Sequence, residues 1–215
     1  MQNVIEKVAR AARAEMEKQD PAHDWPHVER VRNMALRIAD KEGGNKPIIE
    51  LAVLVHDVGD RKAHESVEQG DAVVRNLLSL CDVPDIYFNA VAVIAQKVSF
   101  KGLGVPDDMP TLEGQIVQDA DRLDAIGAIA IARTFTWGGS KGRVMHDPNE
   151  PLFMADTADD YYTKGGRTSI NHFHEKLLHL KDRLHTNTAR LIAERRHEYM
   201  LGFLKQFELE WSGKV

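Results

Sequence analysis

The 215-residue chain is 43% hydrophobic and 28% charged, the balance of an ordinary soluble globular protein long enough to bury a large core. Its net charge of -5 gives no electrostatic reason to expect a nucleic-acid polymer as partner, so an anionic substrate must be drawn by a local basic patch. A single cysteine excludes an internal disulfide. Met1 to Lys18, carrying Glu6, Lys7, Arg10, Arg13, Glu15 and Glu17, is too charged for a signal peptide or membrane anchor, which makes the cytoplasm the expected address.

The pattern is helical almost throughout, and the reading is a single all-α domain over 1–215: a helical core at about 20–136, a lid loop at about 138–168 and C-terminal helices at about 169–211 packed on the core. Val4, Ile5, Val8, Ala11 and Ala12 recur at helical spacing, as do Val28, Val31, Met34, Ala35 and Ile38 before Gly43-Gly44 stops the second helix. Pro26 marks that helix's first turn, which places His27 at a helix start. Ile48 to Val55 is apolar on nearly every side, the signature of a helix buried in a bundle, and Gly59 lies just past its end. Cys81, with no acid or base beside it in sequence, reads as a small buried apolar residue. Further helices are expected over Ser66–Leu80, Pro84–Val98, Leu112 to about Thr136, Ser169–Leu184 and Thr188–Glu210. In the long third one, Ala125, Ala128 and Ala132 follow Asp121 as a small-residue stripe suited to close packing on the His-Asp helix. Phe203, Phe207 and Trp211 repeat every four residues as a core stripe on the last helix.

The chemistry concentrates at His56-Asp57. The dipeptide alone means little, since it recurs at His23-Asp24 and His146-Asp147 where composition predicts about one. Only the central copy follows a buried helix able to hold ligands rigidly. With His27 upstream and Asp121 downstream it supplies two imidazoles and two carboxylates, a donor set that suits Mn²⁺, Fe²⁺, Co²⁺ or Zn²⁺ and, lacking thiolate, does not suit a structural zinc site. Four protein ligands leave one or two positions of an octahedral ion open, enough to activate a water against phosphorus.

The spacing His27, His56-Asp57, Asp121 resembles the HD superfamily of metal-dependent phosphohydrolases over nearly the whole chain. Ala22-His23-Asp24-Trp25-Pro26-His27, the run Thr111 to Asp124 and Phe173-His174-Glu175-Lys176-Leu177-Leu178 look like a compact bacterial subgroup whose characterised members are nucleotide pyrophosphohydrolases. The resemblance implies an HD-domain helical bundle with His27, His56, Asp57 and Asp121 as metal ligands. It also implies that Asp60 and Glu65 match acidic residues that handle protons in related nucleotidases. Binuclear HD proteins add two histidines between the His-Asp pair and the last aspartate. Only His64 lies there, so one divalent ion is expected, Mn²⁺ before Mg²⁺, Co²⁺, Fe²⁺, Ni²⁺ or Zn²⁺, and hydrolysis rather than oxygenation.

A polyphosphate needs cationic partners. Lys62, Lys97, Arg143 and Lys176 are the candidates, whereas Arg122 is expected to pair with Asp119 or another carboxylate. His23, His64, His172 and His174 stay unassigned, with His23 a candidate partner for the ring of His27. Tyr161-Tyr162 could stack on a base, below simple packing in rank. The expected reaction converts a nucleoside triphosphate to monophosphate and pyrophosphate. The alternatives are a nucleoside 5′-monophosphate phosphatase and, outside enzymes, a metal-containing nucleotide-binding or signalling module. The expected partner is a small-molecule nucleotide or other phosphate, with no membrane, and a homodimer is compatible with the chain.

Overall fold

A computed structural model describes residues 1–17, 25–60, 64, 66–155, 157, 160 and 167–215. The described residues are all-α with no strand, and their only extended pairing is a parallel bridge between Val144 and Thr168. Two compact units divide the chain, one made of residues 1–99 and 108–121, the other of 100–107 and 122–215.

In the first unit, α1 (Gln2–Met16), α2 (Trp25–Glu42), α3 (Lys46–Val55), α4 (Val67–Leu80) and α5 (Asp85–Lys97) are followed by α6 (Leu112–Asp124), most of which lies in this unit. α3 packs against α1, α2 and α5. Leu51, Ala52, Val53 and Val55 are wholly buried, which is why this helix tolerates no polar face. It starts where the sequence places a cap: the Asn45 side chain accepts from the Ile48 N–H, and Pro47 sits in the first turn. Ser66 caps α4 in the same way through the Gln69 N–H. Arg32 Nε donates to Glu50 Oε1 at 2.7 Å, tying α2 to α3. Cys81 is buried at the end of α4 and its thiol is pushed up by that burial, consistent with a packing residue.

The second unit holds α7 (Ala128–Ser140), α8 (Ser169–Glu175), a 3₁₀ helix (Leu177–Arg183) and α9 (Asn187–Trp211). Four expectations are corrected here. The single helix from Leu112 to about Thr136 is two helices, because Gly127 adopts φ 97° and ψ -157°, a conformation reserved for glycine. A Cβ at that position would also lie 3.0 Å from Arg196 Cβ. Ala125, Ala128 and Ala132 therefore form no stripe on the helix of Asp121. The expected loop at 138 begins later, since α7 continues through Gly138-Gly139. The helix expected over Ser169–Leu184 breaks at Lys176 into α8 and the tighter 3₁₀ helix. The aromatic residues of α9 meet in sequence, Phe203 tilted against Phe207 and Phe207 stacked on Trp211, and Phe203 also meets Phe135 and Phe173. The row is not the expected core stripe, however: Phe203 and Phe207 are half-buried and Trp211 is exposed.

Candidate metal centre

His27, His56, Asp57 and Asp121 all belong to the first unit, and their donor atoms converge. His27 Nε2 lies 3.3 Å from His56 Nε2, 3.5 Å from Asp57 Oδ2 and 3.4 Å from Asp121 Oδ1. His56 Nε2 lies 3.4 Å from Asp57 Oδ2 and 3.8 Å from Asp121 Oδ1. Donors each about 2.1 Å from one ion stand about 3.0–3.5 Å apart, depending on coordination number. The His27, His56 and Asp57 atoms, 3.3–3.5 Å apart, therefore fit a common cation, with the Asp121 oxygen beside the two imidazoles. His27, His56 and Asp57 are buried, while Asp121 keeps 26% of its side-chain exposure, leaving one side of the cluster open to a small molecule.

Local structure explains the convergence. α3 ends at Val55, and His56 is its C-cap, so the pair occupies the tight turn from His56 to Gly59 rather than the helix. His56 Nδ1 lies 2.7 Å from the Val53 carbonyl oxygen, which can only accept. Nδ1 therefore carries the proton, and in the neutral ring Nε2 presents its lone pair to the cluster. That carbonyl lies in the last turn of α3 and also accepts from the His56 N–H at 3.5 Å. α4 backs the turn at contact distance: a Cβ on Gly59 would lie 2.8 Å from the Gly70 carbonyl oxygen, and one on Gly70 would collide with the Gly59 carbonyl. His64 adds a clasp, its Nε2 2.7 Å from the Val58 carbonyl oxygen. Asp60 is buried on the same turn, its N–H donating to the Asp57 carbonyl at 3.2 Å and its Oδ2 accepting from Ser99 Oγ at 3.0 Å.

Residues 25–126 match the HD domain family. The chain is 38% identical to the uncharacterized protein YpgQ of Bacillus subtilis, over 89% of this chain and 85% of that protein. Among solved structures it is 43% identical to an HD-superfamily hydrolase of Bacillus thuringiensis, with a TM-score of 0.75 over 98% of each chain. A Lactobacillus plantarum protein aligns at 32% identity and TM-score 0.88 over 99% of each. YpgQ crystallised in complex with ADP aligns at 36% identity and TM-score 0.69, over 94% of this chain and 97% of that one.

The chain belongs to the HD superfamily. It is a metal-dependent phosphohydrolase of that superfamily, and among its described residues no helix is long and apolar enough to cross a membrane. The HD cluster gathers all four residues singled out by spacing. Asp60 lies on the same turn. Lys62, Glu65, His23 and Tyr161-Tyr162 fall outside the described residues.

The remaining candidate cations of this HD protein already have partners. Lys97 Nζ binds Asp108 at 2.7 Å, and the ammonium holds the Asp108 carboxyl below the usual carboxylate range. In the second unit, Arg143 lies over the Trp137 ring at 4.2 Å and Lys176 over Phe100 at 5.0 Å, both cation–π contacts. Arg122 is buried and pairs with Asp107 at 2.6 Å, not Asp119. Arg183 reaches the same carboxylate at 3.3 Å and donates to the carbonyls of Gly102, Leu103 and Val105. His174 and His172 sit on α8, where the His174 carbonyl accepts from His179 Nε2 at 2.8 Å. Sequence reasoning missed Ser99 and Gly70, the supports of the HD turn. Gly70 carried a readable signal, since a glycine inside an otherwise helical pattern marks a close approach.

Proposed function

We propose that the protein is a nucleotide pyrophosphohydrolase that converts a nucleoside triphosphate to the monophosphate and pyrophosphate, with one divalent ion, Mn²⁺ favoured, held by His27, His56, Asp57 and Asp121. The observation that carries the reading is the convergence of two imidazole Nε2 atoms and two carboxylate oxygens at 3.3–3.8 Å, on three buried residues and a partly exposed Asp121. A divalent ion bound there would supply Lewis acidity, easing loss of a proton from water so that it can attack phosphorus near neutral pH, and would offset phosphate charge. The complex of YpgQ with ADP supports a nucleotide as the ligand class.

The chain's own residues do the rest. The turn from His56 to Gly59, held by α3 on one side and α4 on the other, keeps the His56 ring oriented through its Nδ1, so this part of the site needs little rearrangement when substrate arrives. Asp60, with Oδ2 fixed by Ser99, accepts the proton released as water attacks, with Glu65 as its expected partner. Lys97 exchanges its hold on the Asp108 carboxylate for a phosphate oxygen, a replacement of one oxyanion by another.

Turnover of a nucleoside triphosphate panel with Mn²⁺, with products separated chromatographically, tests the reading. Pyrophosphate and a monophosphate are expected. Inorganic phosphate released from a 5′-monophosphate would transfer the assignment to a phosphatase, and tight nucleotide binding in calorimetry without product would transfer it to a binding module.

A further inference from the structure

The end of α5 is hydrogen-bonded both to Asp60 and to α6, the helix that carries Asp121. Ser99 Oγ donates to Asp60 Oδ2 at 3.0 Å. Immediately before it, the carbonyls of Val98 and Lys97 accept from Gln118 Nε2 at 3.2 and 3.4 Å. Those carbonyls belong to the last turn of α5, where a helix lacks its own donors, and Val98 is buried, so water is poorly placed to serve them. Gln118 is 2% exposed and stands three residues before Asp121 on α6, on the same side of the helix. Three consecutive residues, Lys97 to Ser99, thus hold the Asp60 carboxylate with one hand and the helix of Asp121 with the other. All of them lie in the first unit.

We infer that the end of α5 is a gauge that sets the position of Asp121 relative to the turn of His56, Asp57 and Asp60, with Gln118 and Ser99 as its positioning residues. The hydrogen bonds described for the two residues run to the end of α5 and to Asp60. Gln118 fixes the depth of α6, hence whether the Asp121 oxygen reaches the same point as the two imidazoles. Ser99 fixes the rotamer of Asp60 and leaves the donor cluster alone. The inference rests on the four-donor metal reading, and it divides the two functions. Gln118 governs ion binding, and Ser99 governs turnover once the ion is bound. A residue that merely stabilises the fold would move both together.

The test is Mn²⁺ binding by calorimetry on the full chain, with kcat and KM on a nucleoside triphosphate as the second measurement. Gln118→Met keeps the volume and removes the donor. It should weaken Mn²⁺ roughly tenfold or more, as loss of supporting hydrogen bonds at metal sites does, with the circular dichroism unchanged. Gln118→Glu, of the same shape but repelled by two carbonyls, should weaken it at least as much and covers the case of a misfolded methionine variant. Ser99→Ala should leave Mn²⁺ affinity within about twofold and lower kcat on the order of tenfold at constant KM, with Ser99→Thr restoring it. Folded Gln118 variants that bind Mn²⁺ like the natural chain would overturn the inference while leaving the metal reading intact. Failure of the natural chain to take up Mn²⁺, Co²⁺ or Zn²⁺ would overturn both.

Discussion

Two of the three histidine–aspartate pairs are described, and identical dipeptides have opposite surroundings. His56 is 1% exposed, its Nδ1 locked on a backbone carbonyl and its Nε2 facing three other donors. His146 is half-buried between the edges of Phe207 and Trp211, with ring centroids 5.7 and 4.9 Å away. Asp147 folds back on its own backbone, accepting from the Asn149 N–H at 2.9 Å in an Asx turn ahead of the Gly/Pro-rich loop's end. The same two side chains make a ligand pair at the end of a buried helix and a turn cap plus aromatic filler in a loop. The difference lies in what fixes the second ring nitrogen and in which carboxylate is within reach.

Replacing both aspartates tests the contrast most severely. Asp57→Ala should lower kcat on the order of a thousandfold or more with the helical circular dichroism intact, whereas Asp147→Ala should leave kcat within about twofold. Equal losses would break the comparison. Next in size is Gly70→Ala, which pushes α4 off the HD turn. We expect about 1–3 kcal/mol of destabilisation in urea melts and a kcat loss larger than a surface Gly202→Ala change produces, since a Cβ at Gly202 meets nothing. Mn²⁺ should raise the melting temperature by roughly 5–10 °C at a hundred times its dissociation constant, and a chelator should reverse this. His146→Phe should leave that metal-dependent shift intact. The smallest effect is expected of Trp211→Ala, whose ring is half exposed. It should cost about 1 kcal/mol or less and leave activity unchanged.

Much of this was legible from residue type and spacing. Pro26 and Ser66 marked helix starts by the chemistry of their side chains, and His56-Asp57 stood out because an imidazole and a carboxylate just past a largely apolar buried helix have few other uses, with His27 and Asp121 added by spacing. The break at Gly127 was not legible, because an interior glycine costs only about 1 kcal/mol in a helix and the alanines on both sides continue the helical pattern. That Arg122 pairs with a carboxylate was legible, but which one was not: Asp119 is nearer in sequence, yet Asp107 is brought up by a loop wrapped on Arg183, a tertiary fact. Lys97, Arg143 and Lys176 stood out by charge, and the neighbouring carboxylate or ring that each engages is a tertiary contact that charge alone does not reveal.

The hydrogen bond from His56 Nδ1 to the Val53 carbonyl joins a helix terminus to an imidazole tautomer. If the last turn of α3 frays, the ring is released to rotate, and the cluster loses a donor while most of the bundle is still folded. Ion release should therefore run ahead of the loss of helicity on heating, so that the ion reports the opening of one helix end before any bulk signal does.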